Sequence, residues 1–175
     1  MGQQPFETVL EAHHPEIYRY LLRVTSRRSD ADDLSQETFL RAWRAYRVLT
    51  PDANVRAWLF TIATNLARNH FRAERRRRNA HAAVRVVRVE TDGARPDGEA
   101  VFQETRARLE RVVAKLPLKQ RLAFVLRKIH DLDYEAIARS LECSAESARA
   151  HVFQALRKIR RDLEGAAQPR MELHP

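Results

Sequence analysis

A chain of 175 residues is long enough for one medium domain or two small ones, and 44% hydrophobic residues are enough to build their cores. Its 32 Lys and Arg against 23 Asp and Glu leave a formal net charge of +9 and a pI near 10.5, which points to a polyanionic partner. No run approaches the roughly 18 consecutive apolar residues of a membrane span, the N-terminus MGQQPFETVLEAHHPE has no apolar signal core, and the single Cys143 excludes an internal disulfide or a cysteine-rich zinc site. The expected location is therefore the cytoplasm, with no direct insertion into a membrane. Four glycines and strong helical periodicity make the fold class all-α.

In the N-terminal block the periodicity predicts helices over about 5–26, with a break near residues 13–15, then 30–47 and 53–72, the last with a basic continuation to 78. Ile17, Tyr20, Leu21 and Val24 make one apolar stripe. Leu34, Phe39, Ala42 and Tyr46 make a second, and Trp58, Leu59, Ile62 and Leu66 a third, which together suggest a small bundle. Asp30, Asp32, Asp33 and Glu37 concentrate negative charge at the start of the second helix, where they favour its dipole. That role leaves Gln36, Glu37 and Arg41 on an exposed face suited to docking another protein.

Asn65, Arg68, Asn69 and Arg72 fall at i, i+3, i+4 and i+7, so one face of the third helix presents two amides and two guanidiniums ahead of the arginine run 75–78. Amides and guanidiniums can hydrogen-bond base edges, while an arginine run neutralises phosphates. His70, Phe71, Trp58 and Phe60 add aromatic surface for stacking on unpaired bases. A charged helix end leading into a linker would satisfy the arginine run alone.

Residues 79–102 read as a flexible linker, with Gly93, Pro96 and Gly98 in a mixed-charge segment. Fully extended, it would reach at most about 80 Å. The C-terminal block, 103–164, then carries two amphipathic helical patterns across a short polar break. Tyr134, Ile137, Ala138 and Leu141 form the apolar face of the first, Glu142, Cys143 and Ser144 make the turn, and Ser144 is a natural N-cap for the second. Cys143 suits a small buried side chain there. On the second helix Ala148, Val152, Leu156, Ile159 and Leu163 form the core stripe, while Glu146, Arg149, Ala150, Phe153, Arg157 and Arg160 line another face. This is a helix-turn-helix pattern, whose second helix fits the major groove. An ordinary helical hairpin with a solvated basic face would show the same spacing. The tail from 165 to 175 is expected to be disordered.

Four segments occur in an order that resembles bacterial RNA polymerase sigma factors of the extracytoplasmic-function group, within the sigma-70 family. They are DADDLSQETFLRAW, AWLFTIATNLARNHFR with its trailing arginines, LPLKQRLAFVLRKIHDLDYEAIARSL, and CSAESARAHVFQALRKIRR. The resemblance covers roughly 5 to 164 and divides the chain into sigma region 2 at 5–78, the linker, and sigma region 4 at 103–164.

The resemblance implies a transcription initiation factor, and so a division of labour. Asp33, Leu34, Gln36 and Glu37 would dock on the β′ clamp helices of core RNA polymerase, with the β flap as a further contact. The loop 50–54, through Asp52 and Asn54, and the helix residues Asn65, Arg68, Asn69 and Arg72 would capture flipped bases of the minus-ten element, at an unstacking cost of about a few kcal/mol. Arg149, Ala150 and Phe153 would read the minus-thirty-five element, with Gln154 nearby and Arg157 on phosphate. Ala150 and Gln154 depart from the polar residue and the arginine common at those places in the family; Ala150 offers a thymine methyl contact and Gln154 would favour adenine. The resemblance also implies an anti-sigma partner, often membrane-bound, around which the two domains close.

Other classes fit less well. A stand-alone helix-turn-helix repressor needs a dimer interface or ligand pocket in its N-terminal half and an isolated palindromic site. An enzyme needs paired acids, a metal cluster or an activated nucleophile, and a phosphate-cradling glycine loop is missing as well. No cofactor, metal or catalytic residue is expected.

Overall fold

The structure, a computed structural model, describes residues 4–80 and 100–165, which form seven helices and no strand. The fold is all-α, in two helical domains. The expected tail lies outside the described residues except for its first position. Of the expected linker, 79–80 continue a helix, 100–102 begin another, and 81–99 lie outside the description.

The N-terminal domain packs α1 (Phe6–Thr25), α2 (Arg28–Tyr46) and α3 (Val55–Ala80). The expected break near residues 13–15 does not occur, since Pro15 lies inside α1. A mid-helix proline costs about 3 kcal/mol. Val9, Ile17, Tyr20, Leu21 and Val24, on both sides of it, are all buried in the core. Each such burial is worth about 1.5–3 kcal/mol, so the packing outweighs the lost backbone bond. α1 ends where Ser26 turns left-handed (φ 58°) and returns its N–H to the Leu22 carbonyl at 2.8 Å.

The second stripe packs as expected, with Leu34, Phe39, Ala42 and Tyr46 all buried. The third differs. Leu59 and Leu66 are buried but Trp58 and Ile62 only partly so, while Phe60 is 0% exposed and Ala63 and Ala67 are buried. Phe60 is thus core, not a surface for stacking on bases. Its ring meets Tyr20 edge-on at 5.2 Å and lies 4.9 Å from the ring of His130, so α3 is covered on two sides. Inside the bundle the hydroxyls of Tyr20 and Thr64 pair at 2.8 Å; burial pushes the Tyr20 phenol well above its usual range, although the Thr64 bond opposes this.

The C-terminal domain contains α4 (Ala100–Ala114), α5 (Leu118–Lys128), α6 (Tyr134–Leu141) and α7 (Ala145–Gly165). Asp133 caps α6 by accepting the Ala136 N–H at 2.6 Å. Ser144 caps α7 through the Ser147 N–H at 3.1 Å, the role its position foretells. Between them Glu142 is left-handed (φ 52°), and the Cys143 N–H reaches back to the Ala138 carbonyl at 3.0 Å. Cys143 itself is half-buried rather than buried. Leu156, expected in the core stripe, is exposed; Ala155 takes the buried place between Val152 and Ile159. The helix packs against α5 on one side and α4 on another, and a small residue at 155 lets it approach closely. Arg108 on α4 donates to the Leu163 carbonyl at 2.7 Å and so closes the end of α7.

The two domains pack on each other, α3 against α6 and α1 against α5. Their buried apolar residues form one contiguous cluster. Among the described residues no helix is long and apolar enough to cross a membrane.

Candidate functional site

The helix-turn-helix is built from α6, its left-handed turn and α7. Arg149, Ala150, Phe153, Gln154 and Arg157 all lie exposed on α7, while Ala148, Val152 and Ala155 are buried, so the 3.6-residue period separates a core face from an outward one. Arg149 is held over the Tyr134 ring at 5.0 Å, and Arg127 occupies a second place at 5.0 Å from the same ring. Arg157 lies 6.0 Å from the ring of Phe153, which is itself 62% exposed. Gln154 accepts from the Gln120 amide at 2.7 Å, which ties α7 to α5 and engages one end of that side chain. The result is a pre-positioned face of guanidiniums, one aromatic ring and a small residue.

The face of α3 behaves differently. Asn69 and Arg72 are exposed, whereas Asn65 is partly buried and Arg68 reaches the other domain. Arg68, whose side chain is 13% exposed, donates to Asn65 Oδ1 at 3.2 Å, to the Ser140 carbonyl at 3.4 Å and to Glu142 at 3.0 Å. The hydrogen bond and charge of Arg68 hold the Glu142 carboxyl below its usual range. Thr61 pairs with the Ser140 hydroxyl at 3.0 Å on the same seam. In the loop before α3, Asp52 is exposed, and Asn54 accepts the Ala57 N–H at 2.9 Å. Asn54 is therefore the N-cap of α3, a structural duty for its carbonyl oxygen.

On α2, Asp33, Gln36 and Glu37 face outward while Leu34 is buried beneath them. Glu37 accepts from Arg41 one turn later at 2.6 Å. The same face continues through Leu40, 40% exposed, and Trp43, 59% exposed. Sequence reasoning passed over these two, although their i+3 and i+6 spacing from Glu37 was available. Near the N-terminus of α2, Asp30, His70 and Glu74 bring ligand atoms within 4.8 Å of one another. Arg27 approaches Glu74 at 3.5 Å and Asp30 at 3.9 Å, so a cation already neutralises the group, and it ties the start of α2 to α3.

A second set that sequence reasoning missed joins the domains. Glu16 and Arg56, both of the N-terminal domain, form a two-pronged ion pair, with Arg56 Nε at 3.0 Å from Glu16 Oε2. Arg56 also donates to the His130 carbonyl at 2.5 Å, and the His130 ring nitrogen Nδ1 lies 3.2 Å from Glu16. Tyr20 and Phe60 enclose that ring from two sides. Further along, Arg121 of α5 donates to the Val24 carbonyl at 2.8 Å and sits 5.5 Å from the ring of Phe71. These partners are 40 to 114 residues apart in the chain, so no spacing rule could reveal them.

Burial holds the His130 pKa below its usual 6.5 and outweighs the opposing pull of Glu16. For Glu16, burial pushes upward, but the hydrogen bonds from Arg56 and His130 prevail and hold it below the usual range. A neutral His130 donating through Nδ1 satisfies both. Because the folded pKa of His130 lies below the unfolded one, the unfolded chain binds more protons in the window beneath 6.5. Stability is then expected to be full above that value and to fall as pH drops through it. Urea unfolding at about pH 7.5 and about pH 5.5 should show a smaller pH-dependent loss in His130→Gln than in the parent; equal losses would exclude His130 as the titrating group.

Residues 9–77 match the family Sigma-70 region 2, and residues 106–159 match the family Sigma-70, region 4. The chain is 31% identical over 137 residues to the ECF RNA polymerase sigma-E factor of Escherichia coli K12, covering 74% of this chain and 72% of that one. It is 28% identical over 170 residues to the RNA polymerase sigma-H factor of Pseudomonas aeruginosa, covering 93% and 88%. Its fold is similar to that of the sigma factor RpoE solved with the anti-sigma factor NepR from Bartonella quintana, with a TM-score of 0.76 at 23% identity over 91% of this chain and 96% of that one. CnrH, solved with the cytosolic domain of CnrY, gives 0.66 at 23% identity over 93% and 89%.

Proposed function

The chain belongs to the extracytoplasmic-function group of sigma-70-type RNA polymerase sigma factors, transcription initiation factors that bind DNA through a region 4 helix-turn-helix, and from that premise we propose how its faces share promoter recognition. The α7 face carries the reading best. It joins an exposed Arg149, stacked on Tyr134 and so low in conformational freedom, with Ala150 and Phe153 at groove-reading positions and Arg157 at the phosphate edge. This face reads the minus-thirty-five duplex. Gln154, bonded to Gln120, contributes at the margin.

The exposed side of α2 docks on the β′ clamp helices of core polymerase through Asp33, Gln36 and Glu37, with Leu34 holding the helix to its core. An acidic face on a strongly basic chain suits a basic partner surface, and the exposed Trp43 and Leu40 beside it supply the apolar anchors that dominate interface energetics. The β flap is a further contact, made by region 4. Asn65, Arg68, Asn69 and Arg72, with Asp52 and Asn54 of the preceding loop, receive the bases of the minus-ten element as the strands open. Asn69, Arg72 and Asp52 are exposed for this; Asn54 offers only its amide end while it caps α3.

The factor acts in the cytoplasm with RNA polymerase, associating with the nucleoid when active, and an anti-sigma factor restrains it. The sigma factor RpoE of the same fold, solved with the anti-sigma factor NepR, supports that last element.

Arg149→Ala tests the reading. On promoters selected from genomic fragments by the assembled holoenzyme, the variant should lose about 1–3 kcal/mol of discrimination at the minus-thirty-five element while still co-eluting with core polymerase. An unchanged footprint there would reject α7 as the reading helix.

A further inference from the structure

We infer that the free chain is a self-closed sigma factor, in which His130 plugs a preformed socket on the N-terminal domain and the helix-turn-helix turn engages Arg68 on the minus-ten face while the polymerase-docking face stays open.

The socket belongs wholly to the N-terminal domain. Glu16 and Arg56 pair with each other across α1 and α3, and Tyr20 and Phe60 wall the space beside them. It presents an acceptor, a donor and two ring faces. His130 matches all of these with its ring N–H, its carbonyl and its imidazole. Only His130 comes from the other domain, at the point where the chain leaves α5 and turns toward α6. Because the Glu16–Arg56 pair needs no partner to form, the receiving geometry is paid for before closure and little side-chain freedom is lost on docking.

Closure at this socket lays α6 on α3. Ser140 and Glu142, at the end of α6, then take up Thr61 and Arg68, and Arg68 holds Asn65. Of the four helix residues proposed to receive minus-ten bases, Arg68 is thereby engaged across the two domains, and it holds Asn65 beside it. Asp33, Gln36, Leu40 and Trp43 remain exposed, and Glu37 partly so. The geometry orders the events: polymerase can dock on the closed chain, whereas full access to the minus-ten face requires His130 to leave its socket. A protein whose binding-competent state is a minor fraction shows an apparent affinity reduced by that fraction. This inference rests on the proposed minus-ten role of α3 for its consequence, but not for the closure itself.

The test uses the full chain in solution, without polymerase or regulator. Small-angle scattering of the parent should give a radius of gyration near about 16 Å, the value for one compact body of this length. Glu16→Gln and His130→Ala should each raise it above about 20 Å, as two small domains on a linker would have. Arg106→Gln, which removes an exposed pair within α4, should leave it unchanged. Unaltered helicity and unaltered co-elution with core polymerase would show that both variants remain folded.

A second readout is binding of the free chains to a single-stranded oligonucleotide carrying the minus-ten sequence of a promoter that the holoenzyme opens. At least a tenfold gain in both socket variants would support closure and its masking role. Expansion without any gain would uphold the closure and remove the minus-ten role from the covered face. A parent already above about 20 Å, or socket variants as compact as the parent, would overturn the closure itself.

Discussion

Glu37→Lys is expected to abolish stoichiometric co-elution with core RNA polymerase, weakening the complex by at least about 100-fold, because a like-charge contact at an interface costs several kcal/mol. The effect on the free chain should be small. Glu37 is a partly exposed side chain whose internal partner is Arg41 one turn away, and replacing that attraction by repulsion costs only about a few tenths of a kcal/mol. The buried neighbours Leu34 and Thr38, the latter bonded to the Leu34 carbonyl, keep the helix in place. Unchanged helicity together with lost co-elution would assign the acidic face to polymerase. Retained co-elution would turn attention to Leu40 and Trp43 alone.

Phe60→Ala should cost about 3–5 kcal/mol of stability, the range for removing a large buried aromatic ring. Against the roughly 5–15 kcal/mol that holds a typical protein folded, that is a third or more of the total. Phe60 is fully buried against Tyr20, His130 and the guanidinium of Arg56, so nothing small can fill the space without moving both domains. Urea unfolding monitored by helicity would measure the loss; less than about 1 kcal/mol would mean that the site collapses freely and that the domains are not packed as described. Combined with His130→Ala, the two losses should add to more than the double variant shows, since the residues touch.

That prediction could not have come from reading the chain. The helical spacing gave a core stripe of Trp58, Leu59, Ile62 and Leu66, which left Phe60 outside it as aromatic surface for stacking on bases. α3 is covered by its own bundle and by the second domain as well, and both positions are lost to solvent. Leu156 erred in the opposite sense: its heptad-like spacing suited a core stripe, but Ala155 takes the buried place. Pro15 looked like a break, and the flanking core residues carried the helix through it.

What the sequence determined by itself is local. Helix faces follow from a period of 3.6, the cap of α7 from Ser144, and the outward set Arg149, Ala150, Phe153 and Arg157 from positions within one helix, so a short window contains all the physics that places them. The order of the four motifs added the family. Tertiary structure alone decided the fate of Arg68, which shares a helical face with Asn69 and Arg72 yet is drawn against Ser140 and Glu142, 72 and 74 residues away. It alone assembled Glu16, Arg56 and His130, since an ion pair or a buried ring contact depends on distance in space, and that distance is set by how two domains meet rather than by anything periodic along either one.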